Sequence, residues 1–300
     1  MPLTYDYLLA VTFIVAERET EDGERRPTPI GTGFVVSFPS VEVPGLRFEY
    51  VVTALHVVEA GAKTWARFRK QPRLGGVHDH PVEWVHLPKS DVALAPLRGH
   101  GSHELHLKHI PAEMFLGPGT KPIGAFPGDR VYFLGLFDRL GSLGEQNVAM
   151  VRSGTLGAWE IERVPIGREE NRRYITAHLI DCRSYAGFSG APCFIQADGQ
   201  VGAHPESALG RSASETYLLG MVNGHFDMWE KARMLGDLAL EPGSIETEVN
   251  SGVGVVTPVR MIQEAYAMEE LVEDRQKVEE REKESGETHD RVAGANDEVC

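Results

Sequence analysis

The chain has 300 residues, 42% of them apolar and 25% charged, a composition that suits a globular protein with room for two cores of ordinary size. A net charge of −14 excludes the basic footprint of a phosphate- or nucleic-acid-binding protein. No apolar run is long enough to span a membrane as a helix, so neither nucleic acid nor membrane is expected as a partner.

Taken in order, the chain reads as short strands separated by turn signals. The apolar run Tyr7–Ala16 is short, stands behind Asp6 and lacks the basic leader of a secretory signal. Within it LLAVTFIVAE (Leu8–Glu17) is expected to form the first strand, and the polar stretch RETEDGERRPTP a loop. IGTGFVVSF (Ile30–Phe38) and FEYVVTALHVV (Phe48–Val58) follow, both rich in valine and aromatic residues. TWARFRK, PVEWVHL and DVALAPL continue the pattern. The segment HGSHELHLKH then sets His100, His103, His106 and His109 at three-residue spacing. On a helix these would share a face and could bind zinc, but Gly101 and Pro111 favour a loop with exposed imidazoles. HDH at His78–His80 is a weaker cluster of the same kind, and no metal or organic cofactor is expected.

Glycine and proline crowd the segment from Pro111 to Gly128, which reads as a linker. Beyond it DRVYFLGLF, VAMVRSGTLGAW, RYITAHLI, PCFI, TYLLGMVNGHF and GVGVVTP form a second set of strands, and HPESALGRSASE (His204–Glu215) an exposed loop. This density of strands predicts an all-β barrel or sandwich. Residues 1–115 and 116–260 then form two units, followed by 261–300 as an acidic helix and tail. Thr257 is expected to cap that helix and Pro258 to open it. Met261, Ile262, Ala265, Met268 and Leu271 lie near one face, expected to pack on the second unit, with disorder beyond Ser285. From Met261 to Cys300 there are 13 acidic and 5 basic residues, a local charge of −8. Cys182, Cys193 and Cys300 form an odd set without metal spacing, so reduced thiols and a cytoplasmic setting are expected.

SYAGFSGAPCF (Ser184–Phe194) presses small residues around Ser189. A serine is a weak nucleophile until a neighbouring base takes its proton. Two phrases offer that base and an orienting acid: VVTALHVV, with His56 behind a β-rich run, and SDVALAPL, with Asp91 opening an apolar segment. A buried acid needs a donor, and a histidine N–H is one. Asp79 and Asp129 are alternative orienters, although neither opens an apolar strand. A nucleophile elbow would instead need acid and base after the serine, such as Asp198 and His225, and strand-to-helix alternation that the chain lacks.

GTGFVVS, TALHVV, DVALAPL and GFSGAP, in that order, resemble the trypsin/chymotrypsin-like serine peptidases, particularly their bacterial and intracellular branch. PGDRVYFLGLF, RSGTLGAW, TYLLGMVNGHF and GVGVVTPV resemble strands of that family's second barrel, so the likeness runs from about Leu8 to Ala267. The resemblance implies two six-stranded-type β-barrels with the active site between them and a C-terminal helix. It implies a serine endopeptidase of protein or peptide substrates, with Ser189 as nucleophile, His56 as base, Asp91 as its orienter and the N–H groups of Gly187 and Ser189 as oxyanion hole. By the same analogy Arg183, Asn223, His225 and Gly254 frame a side-chain pocket, whose positive charge would favour an acidic residue before the scissile bond. Phe188 departs from extracellular relatives, which carry an acid there to receive a new N-terminus, so maturation by that route is not expected; nor is a propeptide. An activating protein partner that orders the oxyanion loop is one further expectation. The alternative is a catalytically silent copy of the fold that binds proteins.

Overall fold

The computed structural model describes residues 5–19, 23–59, 63–98, 104–117, 126–135, 147, 149–167, 172–182, 187–197, 215–232 and 245–296. The described residues are mostly β-strand, with a few short helices before the second set of strands and a helical C-terminus. After α1 (Tyr5–Leu9) come β1 (Val11–Glu19), β2 (Arg25–Pro39), β3 (Arg47–Ala54), the one-turn α2 (Leu55–Val58), β4 (Thr64–Arg69), β5 (Val77–Pro81), β6 (Val85–His86), β7 (Val92–Pro96) and β8 (Ile110–Pro111). These strands form one eight-stranded sheet in the order β5-β4-β1-β2-β3-β7-β6, with β8 pairing β2. β9 (Arg130–Gly135), β10 (Met150–Ile166), β11 (Arg173–Asp181), β12 (Pro192–Ala197), β13 (Glu215–Ala232) and β14 (Ile245–Pro258) close into a six-stranded barrel in the order β10-β11-β14-β13-β12-β9. α3 (Val259–Tyr266) and α4 (Glu269–Asn296) follow.

The strands form where β-branched and aromatic residues alternate or run together. From Gly31 to Phe38 β2 is buried on both faces, which explains why its apolar residues form a run rather than an alternation. Its Phe34, Val36 and Phe38 share one core with Tyr50, Val52, Phe68 and Leu94. The barrel has its own core of Val131, Phe133, Leu156, Ile180, Phe188, Ile195 and Val256. Full burial of each large apolar side chain contributes roughly 1.5–3 kcal/mol. Phe194, Leu218 and Met221 face outward from the barrel and join the first core. The ring of Phe194 stacks on Tyr7 at 5.1 Å, so the two sheets are welded by apolar contact.

Several details differ from the sequence reading. β2 begins at Arg25, within the stretch read as loop, because Arg25–Pro29 pair with Val15–Glu19 beyond a bulge. The polar run VHDHP is a strand, β5, held to β4 by ladder bonds and by the Arg67–Asp79 ion pair at 2.6 and 2.7 Å. Thr257 does not cap α3; its hydroxyl donates to Asn223 Oδ1. The C-terminal helices pack on the first sheet as well as on the barrel: α3 lies against both β7 and β13. Tyr266 stacks on Phe38 of β2 at 3.8 Å and 11°. Arg275 lies 3.6 Å over the Tyr266 ring and donates to the Tyr50 hydroxyl at 3.2 Å. Lys283 pairs with Glu42 at 3.1 Å, and α4 continues past Ser285 to Asn296. α4 is therefore held beside the first sheet through a few polar pairs, two of them made by its basic residues.

His106 and His109 lie on extended chain before β8, with His109 Nδ1 2.9 Å from Glu49, while His100 and His103 lie outside the described residues. Among the described residues no cluster of His, Cys, Asp and Glu could hold a metal ion. Cys182 and Cys193 are free, buried thiols; burial, with help from Asp181, pushes the Cys182 thiol up to about 11. No described helix is long and apolar enough to cross a membrane.

Candidate active site

His56 and Asp91 reach each other because β3 and β7 are antiparallel neighbours. Ala54, the last residue of β3, pairs with Val92, the first of β7. The chain leaving β3 turns into α2 and the Leu55 N–H donates to the Asp91 carbonyl at 3.1 Å. This puts His56 beside the Asp91 side chain. The His56 N–H donates to Asp91 Oδ1 at 2.9 Å, and His56 Nδ1 lies 2.6 Å from Oδ2. A carboxylate accepts, so the bonded Nδ1 carries a proton, which in a neutral ring leaves the lone pair on Nε2. Asp91 is 1% exposed, whereas the His56 side chain is 43% exposed. A third donor, Asn223 Nδ2, reaches Asp91 Oδ2 at 2.7 Å. The buried carboxylate is thus satisfied from both sheets.

Asn223, expected at the wall of a substrate pocket, is a buried side chain in this network. Its Oδ1 accepts from the Thr257 N–H at 3.2 Å and from the Thr257 hydroxyl. Its main-chain carbonyl accepts the Ser189 hydroxyl at 3.0 Å. Among the described residues that is the only hydrogen bond of Ser189 Oγ, which therefore does not donate to the His56 ring in this state.

Ser189 sits in a turn with Gly187 at φ +98° and Gly190 at φ +86°, conformations that L side chains resist. A Cβ on Gly190 would lie 2.0 Å from the Thr32 carbonyl, so the close approach of β2 also requires glycine. The Gly190 N–H donates to Val222 O, and Ala191 N–H to Phe188 O, at 2.8 and 2.9 Å. From the first sheet, the Thr32 N–H donates to Ser189 O at 2.9 Å and its hydroxyl to Gly187 O at 2.6 Å. Among the described residues, the N–H groups of Gly187 and Ser189 have no acceptor. Phe188 is 1% exposed and fills the barrel core, its ring edge-on to Phe133 at 5.3 Å.

Of the expected pocket residues, Arg183 lies outside the described residues. His225 is a β13 residue whose backbone pairs with Gly254 on β14. A Cβ on Gly254 would meet Cys182 Sγ at 2.8 Å, so that face is closed by the thiol. Asp129, an alternative orienter, bonds its own turn at the Phe126 N–H, and Asp79 is committed to Arg67. Sequence reasoning missed Thr32 and Thr257. The available signal was a hydroxyl residue inside an otherwise apolar strand, at GTGF and VVTP, where burial obliges it to find a partner.

The MamO protease domain from Magnetospirillum magneticum, in its apo form, is 18% identical, with 87% of this chain and 98% of that one aligned and a TM-score of 0.48. The Rv3671c protease of M. tuberculosis, in its inactive form, is 19% identical, with 87% and 89% aligned and a TM-score of 0.43. Comparison with curated protein sequences gave no match. The model of the trypsin-like peptidase domain matches residues 31–203, more than half of the chain, from within β2 to beyond the Gly187–Ser189 turn. The chain belongs to the trypsin-like peptidase domain family.

Proposed function

We propose that the protein is a serine endopeptidase that cleaves protein or peptide substrates through Ser189, His56 and Asp91. The observation that carries this reading is the buried Asp91 carboxylate 2.6 Å from Nδ1 of the partly exposed His56 ring. In the proposed cycle the Ser189 hydroxyl leaves the Asn223 carbonyl and turns to His56 Nε2. Nε2 takes its proton as Oγ attacks the scissile carbonyl, and later gives it to the leaving amine. Asp91 keeps the tautomer and stabilises the imidazolium. The Gly187 and Ser189 N–H groups, which lack acceptors in the described turn, would receive the oxyanion. No step calls for a metal or organic cofactor. Arg183 and His225 would bias the side-chain pocket toward an acidic residue, with Asn223 and Gly254 contributing main chain to its walls.

One observation favours a second reading, a silent or partner-activated copy of the fold: the Ser189 hydroxyl is bonded to the Asn223 carbonyl rather than to the base. Exposure of the full chain to a fluorophosphonate, followed by mass spectrometry, separates the two. The proposal expects adduct at Ser189 that is lost in Ser189→Ala and in His56→Ala. A folded protein without adduct would overturn it in favour of the second reading.

A further inference from the structure

Thr32 is buried in β2, yet all three of its polar groups are used, and all three face the junction between the sheets. The N–H donates to Ser189 O at 2.9 Å, the hydroxyl to Gly187 O at 2.6 Å, and the carbonyl accepts from Thr53 Oγ1 at 2.7 Å. Thr53 stands on β3 one residue before Ala54, whose successor opens the helical turn bearing His56. A continuous chain of hydrogen bonds therefore runs from the strand that carries the base to both ends of the Gly187–Ser189 turn.

We propose that Thr32 is a positioning residue that fixes the Gly187–Ser189 turn relative to His56 through these two hydrogen bonds. The proposal rests on the reading of Ser189 as nucleophile. Its physical basis is the geometry of peptide planes. A carbonyl held in a hydrogen bond fixes the plane of its own peptide unit. Thr32 holds the carbonyls of residues 187 and 189, so it fixes the planes on either side of the Phe188–Ser189 peptide. That middle peptide carries the Ser189 N–H, and its own carbonyl is held within the barrel by the Ala191 N–H at 2.9 Å, so the part left to Thr32 is where the pinned unit stands relative to His56. The buried Phe188 ring holds its remaining corner: a Cβ on Gly135 would lie 2.7 Å from that ring and 3.0 Å from Thr32 Oγ1. Glycine at 135 thus makes room for clamp and anchor together. A valine at position 32 would keep the shape and the N–H but lose the hydroxyl. It would leave the part-buried Gly187 O without its donor, and the 187–188 plane free to turn.

Loss of an oxyanion donor costs about 10²–10³ in rate, and a loosened turn, which still samples the right orientation, should cost about 10–100-fold. The test compares wild type, Thr32→Val and Thr32→Ser as full chains. It measures the rate of fluorophosphonate labelling at Ser189, kcat and KM on a peptide substrate, and the thermal midpoint. We expect Thr32→Val to lower labelling rate and kcat by about 10–100-fold with KM within about twofold, and Thr32→Ser to restore both. A Thr32→Val protein that labels at the wild-type rate, or a Thr32→Ser protein as slow as it, would overturn the proposal, since a merely structural hydroxyl would move only the midpoint. If Thr32→Val does not fold, Thr53→Val, which removes the donor to the Thr32 carbonyl, takes its place with the same expected direction, and a wild-type rate there overturns the clamp. If wild type itself is not labelled, the nucleophile reading fails on its own. Hydrogen exchange then decides the clamp: faster exchange in peptides spanning Gly187–Ala191 in Thr32→Val but not Thr32→Ser supports it, and equal exchange overturns it.

Discussion

The first sheet and the barrel contribute to the site in different ways. The first sheet supplies a base and an acid that are aligned by its own ladder: β3 and β7 are paired up to Ala54 and Val92, and His56 and Asp91 stand immediately beyond. Once those strands pair, the 2.6 Å contact between the two side chains has little freedom left. The barrel supplies a serine on a turn whose hydrogen bonds are divided. Gly190 and Ala191 bond within the barrel, to Val222 and Phe188, whereas Gly187 and Ser189 are held by Thr32 of the other sheet. Asn223 crosses in the opposite sense, from the barrel to Asp91. The acid–base pair is thus a property of one sheet. The position of Ser189 relative to that pair is a property of the junction.

This contrast can be broken by separating loss of activity from loss of stability. The largest expected effect is on the first sheet's contribution. Asp91→Asn keeps the shape but exchanges an acceptor for a donor facing His56 Nδ1, which favours the wrong tautomer. We expect kcat to fall about 10⁴-fold with the fold retained. Peptide hydrolysis alongside circular dichroism checks this, and a fall of less than about tenfold would mean that Asp91 does not orient the base. The barrel's contribution should fail differently. Phe188→Ala removes a ring that is 1% exposed and packed on Phe133, leaving a cavity beneath the Gly187–Ser189 turn. We expect a loss of about 3–5 kcal/mol in urea unfolding. A loss below about 1 kcal/mol would show that the turn is held by its hydrogen bonds alone.

The same contrast explains what could be read in the sequence. GTGF, TALH, DVAL and GFSGAP are local: each turn residue and apolar run lies within a few positions of the side chain it presents. They located the strands and the three residues now proposed for catalysis. The features that escaped are long-range or polar. The stacking of Tyr266 on Phe38 joins the C-terminal helix to β2, and nothing in the helical periodicity of α3 says that its apolar face meets the first sheet as well as the barrel. VHDHP lacks the apolar alternation of a strand and owes its β structure to ladder bonds with β4 and to the Arg67–Asp79 pair. Thr257 has the residue type of a helix cap, but an acceptor on a neighbouring strand, Asn223 Oδ1, competes for its hydroxyl. Asn223 itself reads as pocket lining only until its partner Asp91, far away in sequence, is placed beside it.

The smallest predicted effect concerns acid. β10 and β11 pair through a series of bulges, and Glu160, at φ +42°, lies within one of them. Its N–H, displaced from the ladder, donates to His178 Nδ1 at 3.1 Å, so a buried side chain completes the backbone. The ring is 1% exposed and lies 4.3 Å from Trp159. Burial, with a smaller contribution from the Arg260 cation, lowers its pKa to about 3. An unfolded histidine titrates near 6.5, so between those values the unfolded chain binds a proton that the folded chain refuses. The stabilisation is complete above pH 6.5 and is lost as the pH falls toward the folded value. About 2 kcal/mol should disappear between pH 7 and pH 5 from this group alone. His178→Gln retains an acceptor and cannot take the proton in that range, so urea unfolding of the variant should lose correspondingly less stability over the same interval. Equal slopes in the two proteins would move the acid sensitivity out of the barrel and remove one of the differences between the two sheets.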